Sequence, residues 1–306
     1  MENLNEIWPC DFTTSEEVKL REIEVSKCEN IANMFPCNPM PLLQHLEILK
    51  VRDCGSIEAL FNTVFDKGNI SLRKIEVIGC GKLVNLFPCN PMPFLHHLEE
   101  LQVDECGSIE ELFNIHLDCV AADEKGSISL KKIKVFRCDK LVNLLLCNPM
   151  PLLHHLEELE VEKCGSIETL LNIDIDCVGE TGEGRSSSLR RIQVEKLGKL
   201  QEVWRIKDAN HSHFPIRGFQ AVESISISSC ERFRNVYSPT STNFDLGALT
   251  YMSISDSVEI RRKYGLVESS LGKENTLFPT CLIHLFHNLR KLELDGSEGV
   301  EVIFEI

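Results

Sequence analysis

The sequence predicts an α/β solenoid, a curved horseshoe with a parallel concave sheet and an irregular, helix-poor convex side. Three observations predict it. A unit of about 26 residues recurs along the chain, as in solenoid proteins. The unit opens on apolar residues of period two, and proline recurs behind that opening in several copies. Residues 72–114 read LRKIEVIGCGKLVNLFPCNPMPFLHHLEELQVDECGSIEELFN, and residues 130–172 read LKKIKVFRCDKLVNLLLCNPMPLLHHLEELEVEKCGSIETLLN. The two agree at 30 of 43 positions, and residues 20–62 are a third copy. Each copy is itself double, with LRKIEVIGC and LEELQVDEC as halves, so the elementary unit is L-x-x-L-x-V-x-x-C-x-x-L-x-x-L-F.

This is a leucine-rich repeat pattern. Its first apolar position falls at Leu20, Leu46, Leu72, Leu98, Leu130, Leu156, Leu189, Val222, Leu249 and Leu289. L-x-x-L-x-V alternates, so each unit contributes one short strand. Strands are expected near 20–28, 46–54, 72–80, 98–106, 130–138, 156–164, 189–197, 222–230, 249–257 and 289–297. Stacked in parallel, they form one curved sheet within a single domain spanning 1–306. Behind the strand, apolars such as Leu83, Leu86 and Phe87 turn inward to fill the coil. The PCNPMP segments cannot be regular helix, because proline lacks the amide donor and pushes its predecessor toward extended conformations. HLDCVAADEKGSIS and DIDCVGETGEGRSSS lengthen the spacing and are loops between repeats. At the ends, Leu4, Ile7 and Trp8 match Leu83, Leu86 and Phe87, while Val300, Ile303 and Phe304 match Ile109, Leu112 and Phe113. Neither end shows a polar cap, so the array is expected to be truncated or uncapped at both.

Composition narrows the function. Of 306 residues, 43% are hydrophobic, enough to bury a core. No apolar run approaches the roughly 18–20 residues of a membrane span, and the opening MENLNEIWPCDF lacks the basic flank and apolar stretch of a signal peptide. Net charge is −15, with 32 Lys and Arg against 47 Asp and Glu, which disfavours nucleic acid as a partner. Without a signal peptide the chain is expected in the cytoplasm, with its 14 cysteines reduced.

The cysteines follow the repeat. Cys28, Cys54, Cys80, Cys106, Cys138, Cys164 and Cys230 occupy one position just behind the strand. There a cysteine is expected to point inward as a small buried residue with a weak donor, a structural thiol. Cys37, Cys89 and Cys147 recur in CNPMP segments, followed by His45, by His96 and His97, and by His154 and His155. Repetition accounts for this pattern without four convergent ligands, so no metal is expected. Gly81-Lys82, Gly198-Lys199 and Gly272-Lys273 lack the remainder of a phosphate-binding loop, and no G-x-G-x-x-G, H-E-x-x-H or G-x-S-x-G occurs. The paired carboxylates Glu99–Glu100 and Glu157–Glu158 recur at repeat spacing, as a solvated face would. Neither an enzyme nor a cofactor is expected.

The outward strand positions are the informative ones. The residue after the first leucine is Arg21, Glu47, Arg73, Glu99, Lys131, Glu157, Arg190 and Glu223, alternating in sign through eight repeats. With neighbouring strands about 4.8 Å apart, Arg73, Glu99, Lys131, Glu157 and Arg190 form a structural charge ladder. A charged recognition surface is the competing reading of this column. Near the strand ends the column runs Ser26, Arg52, Ile78, Asp104, Phe136, Glu162, Glu195, Ser228 and Ser255. Ile78 and Phe136 are apolar where water is expected, and Tyr251 is a third such residue in the neighbouring column. With Arg52 they are the candidate protein contacts, because aromatics and arginine dominate interface energetics. Packing against a neighbouring side chain is the alternative.

CGSIEELFN, LEELQVDEC and KLVNLFPCNPMP resemble the leucine-rich repeats of plant disease-resistance proteins of the coiled-coil, nucleotide-binding class. The resemblance covers essentially the whole chain. It implies a module of an intracellular immune receptor, recognising a pathogen effector or a guarded host protein in defense and helping to hold a nucleotide-binding domain inactive. The expected partners are therefore proteins, with no nucleic acid and no membrane. Neither phosphate loop nor coiled coil is visible in this sequence, so nucleotide binding does not transfer to it, and no individual binding residue transfers either. The alternative is a cytosolic leucine-rich repeat adaptor such as the substrate-binding arm of a ubiquitin ligase.

Overall fold

The computed structural model describes residues 19–35, 43–61, 70–87, 96–113, 129–145, 155–174, 188–207, 220–233, 235–237, 246–257, 276–278, 287–296 and 302–304. Ten five-residue strands form one parallel sheet in sequence order: Glu22–Ser26, Ile48–Arg52, Lys74–Ile78, Glu100–Asp104, Lys132–Phe136, Glu158–Glu162, Arg191–Glu195, Ser224–Ser228, Tyr251–Ser255 and Lys291–Asp295. Every neighbouring pair is in register, so equivalent repeat positions line up in straight columns across the sheet.

Period-two patterning builds these strands as the repeat implies. The second and fourth residues, such as Ile75 with Val77 and Ile133 with Val135, turn inward and are buried. The leucines opening the units, from Leu46 through Leu249, are buried with them and close one side of the core. At about 25 cal/mol per Å² of apolar surface removed from water, this inward row is the main attraction holding the coil together.

Each strand ends in the same backbone device. Lys27, Asp53, Glu105, Arg137, Lys163, Lys196, Ser229 and Asp256 all have φ between 51° and 56°, and Gly79 and Gly296 lie at 69° and 63°. This left-handed conformation costs a non-glycine residue about 1–2 kcal/mol. It turns the chain out of the sheet while preserving one more ladder bond. The amide of Lys27 donates to the Arg52 carbonyl at 2.9 Å, that of Asp53 to Ile78 at 2.8 Å, and so on to Asp256, which donates to Asp295 at 3.1 Å.

The turn aims the next residue inward. All seven repeat-position cysteines are buried and free. Each thiol donates to the carbonyl that ends its own strand, at 3.3–3.6 Å. Ser257 takes the same place and makes the same bond to Ser255 at 3.4 Å. Burial pushes the Cys54 and Cys230 thiols up to about 11, so they stay protonated at neutral pH.

The opposite side of the coil has no long helix among the described residues. It does carry short parallel ladders that the unit's tail does not advertise. Asn33–Phe35 pairs with Ala59–Phe61, Glu111–Phe113 with Asn143–Leu145, and Thr169–Asp174 with Glu202–Lys207, which pairs in turn with Asn235–Tyr237. The aromatic closing each tail stacks on the next: Phe35 on Phe61 at 5.3 Å, Phe61 on Phe87 at 6.5 Å, and Phe87 on Phe113 at 5.5 Å between ring centroids. The PCNPMP segments, with Cys37, Cys89, Cys147 and His154, lie outside the described residues.

Candidate recognition face

Because the inward positions are spent on the core, the outward positions of the ten strands are the face available for chemistry. Over the first seven strands that face is a lattice of charges. In the column just ahead of the strands, Arg21 pairs with Glu47 at 3.6 Å, Arg73 with Glu99 at 3.6 Å, Lys131 with Glu99 at 2.9 Å, and Arg190 with Glu223 at 3.2 Å. Glu99 therefore serves two bases. Glu157 stands between Lys131 and Arg190 along the backbone, yet those two bases form their ion pairs on their other sides.

The next columns add Lys74–Glu100 at 3.1 Å, Lys132–Glu158 at 2.9 Å, Arg191–Glu158, and Lys134–Glu160 at 2.9 Å. Lys50 reaches diagonally to Glu22 at 2.6 Å. The titration behaviour follows the contacts. Hydrogen bonding to Glu22 raises the Lys50 ammonium, hydrogen bonding to Glu160 raises that of Lys134, and hydrogen bonding from Lys132 lowers the Glu158 carboxyl.

Arg52 sits among carboxylates on both flanks. Its guanidinium reaches Glu24 at 2.9 Å and Glu76 at 2.6 Å, with a further bond from Nε to Glu76 at 3.1 Å. Glu76 is only 7% exposed, so this fork closes over a largely buried carboxylate. Arg52 is thus engaged within the sheet, whatever else it touches.

Ile78 and Phe136 occupy the same column as Arg52, and both are half-buried. The residue between them in register is Asp104. Asp104 is 7% exposed; its Oδ2 accepts from Arg137 at 2.5 Å, and its Oδ1 is buried without a hydrogen-bond partner. Burial raises its carboxyl above the usual aspartate range against the pull of the Arg137 charge. Arg137 also holds Glu105 at 2.8 Å.

Tyr251 lies elsewhere, four strands from Phe136 and at the opposite end of its strand, in register with Lys132. Its hydroxyl donates to Glu293 at 2.6 Å, and Lys291 stands over its ring at 5.5 Å. The fold therefore gathers Arg52, Ile78 and Phe136 into one row and leaves Tyr251 apart. Inspection of the sequence passed over Asp104, Glu76 and Arg137. The one available signal was an acid placed between two apolar residues in a single column.

His45, His96, His97 and His155 lie within the described residues. Among the described residues no group of three or more His, Cys, Asp or Glu side chains could hold a metal ion. No helix among them is long and apolar enough to cross a membrane.

The family model for the leucine-rich repeats of plant disease resistance proteins, RPS2-like, matches residues 1–69, 62–127 and 118–258. The chain belongs to this family. It is also 32% identical over 147 residues to a probable disease resistance protein of Arabidopsis thaliana, covering 47% of this chain and 15% of that relative. The chain thus matches a small part of a much longer protein. In this family the sheet just described is the leucine-rich repeat region of a resistance protein, an architecture suited to interaction with other proteins.

Proposed function

We propose that this chain is the protein-recognition module of a plant intracellular immune receptor. Its concave face contacts a pathogen effector or a guarded host protein, and the same repeats help to restrain the receptor's nucleotide-binding domain until that contact is made. It works by binding and performs no catalysis of its own. The observation that carries the reading, beside the family, is the break in the charge lattice. A sheet whose outward face carries many ion pairs among the described residues places Ile78 and Phe136 on opposite sides of one carboxylate, where scaffolding alone calls for polar residues.

The test is in leaf tissue. The receptor carrying these repeats is expressed with Ile78→Ser and Phe136→Ser, and cell death is scored with and without a panel of pathogen effectors. The expected result is loss of effector-dependent death, or death without any effector. Unchanged responses in every combination would contradict the proposal. A ubiquitin-ligase arm would instead show itself by loss of a target protein dependent on the same residues.

A further inference from the structure

The row Ile78, Asp104, Phe136 carries more than apolar contact. Asp104 lies in register between Ile78 and Phe136, whose strands are about 9.6 Å apart, two ordinary strand spacings. One carboxylate oxygen is committed to Arg137, while the other is buried and accepts no hydrogen bond. A buried acceptor without a donor is costly. Resting on the proposed role of this face, we infer that Asp104 receives a lysine side chain from the partner protein, its ammonium donating to Oδ1 and its methylene stem packed between Ile78 and Phe136.

The chemistry selects lysine. The vacant acceptor is a single oxygen, which suits a compact ammonium, whereas the planar fork of arginine is best used against two oxygens at once. Four methylenes on a charged head match an acid flanked by apolar side chains, and the Phe136 ring adds attraction for a cation over its face. An acidic partner group finds the opposite situation. Arg52 is already shared between Glu24 and Glu76, and Arg137 between Asp104 and Glu105, so neither base is spare. Oδ1 is closed to water, so docking turns a neighbouring side chain aside, a change common at interfaces.

The probe is a phage-displayed library of random dodecapeptides, panned on the immobilised full chain, with enriched peptides synthesised and titrated by fluorescence anisotropy. Enriched peptides are expected to carry a lysine next to an apolar residue. Replacing that lysine by norleucine, which keeps the stem and removes the ammonium, should weaken binding about tenfold or more, as should Asp104→Asn in the protein. Combining both changes should cost no more than either alone. The norleucine arm leaves the protein untouched, so it stands even if Asp104→Asn perturbs folding. Peptides that lose affinity on Phe136→Ala but are indifferent to norleucine would overturn the lysine site while leaving the recognition face standing. Acidic peptides dependent on Arg52 or Arg137 would do the same. Peptides that bind, yet none of them affected by any change in this row, would defeat both readings.

Discussion

The strands from Glu22–Ser26 to Arg191–Glu195 and the pair Ser224–Ser228 and Tyr251–Ser255 share one architecture and differ on one face. Inside, both regions bury the same apolar alternation, Ile133 with Val135 in the first and Ile225 with Ile227 in the second. Both also end each strand in a left-handed residue, Arg137 at 51° and Ser229 at 53°. Outside, the first region is a charge lattice, while the second shows Ser224, Ser226, Ser228, Tyr251, Ser253 and Ser255. The serine strands pair in the same register without those charges. Core and backbone therefore hold the sheet, and outward charge is a secondary adjustment.

The largest effect should come from the inside and be alike in both regions. Ile133→Ala and Ile225→Ala should each destabilise by about 2–5 kcal/mol, measured by denaturant unfolding. A serine region that tolerates the change while the charged region collapses would show that the two are held differently. Next come the strand ends. Gly79→Ala should cost about 1–2 kcal/mol from left-handed strain alone, and its new Cβ would meet Asp53 Oδ1 at 2.6 Å. Conversely, Lys163→Gly and Ser229→Gly should each stabilise by up to about 1 kcal/mol, the strain relieved less the entropy cost of glycine, and so raise the thermal midpoint. No gain in either would mean the turn is less strained than its dihedral implies.

Acid should separate the regions. The Glu158 carboxyl is lowered in the fold, so its contribution is present above the unfolded pKa and lost as pH falls through the folded one. Glu158→Gln should therefore melt below the parent at neutral pH and converge with it in acid. Asp104 has the opposite sign: its raised carboxyl favours the fold below the unfolded pKa, and this advantage is lost as pH rises through the folded value. Asp104→Asn should gain on the parent as pH rises through that window. The serine strands offer no outward carboxylate to take part.

How much of this was legible depended on whether a feature repeats. The L-x-x-L-x-V spacing marked the strands because burial of alternate residues imposes it in every unit. Cysteine marked the inward turn for the same reason. The residue at that turn mostly gave no warning: Lys27, Glu105, Arg137, Lys163 and Lys196 are not residues associated with positive φ, while Gly79 and Gly296, and more weakly Asp53 and Asp256, announce it. The turn keeps the ladder bond to the next strand, which also forms at Lys196 and Asp256 where no cysteine follows, so its cause lies outside the residue itself. Direction of pairing was equally hidden. Alternating signs made Lys131 plausible between Glu99 and Glu157, but rotamers decide that it pairs with Glu99. The burial of Asp104 depends on neighbours 26 and 32 residues away in sequence, Ile78 and Phe136.

The smallest effect belongs to single lattice charges. Lys131→Glu sets three acids side by side with Glu99 and Glu157, and should cost about 0–1 kcal/mol at low salt, less at high salt. Adding Glu99→Lys should recover part of that loss. Ser226→Lys, placed where there is no lattice, should move the midpoint less and show little salt dependence.

On the reading proposed here, the fold is held from inside while the row around Asp104 is left for recognition. The most direct measurement pairs a thermal melt of Ile78→Ala with Phe136→Ala against the effector response of the receptor carrying the same two changes. The expected result is a melt lowered by only a few degrees, about 1–2 kcal/mol for two half-buried side chains, together with loss of the response. A collapsed melt would place both side chains in the core, and an intact response on a stable protein would remove the row from recognition.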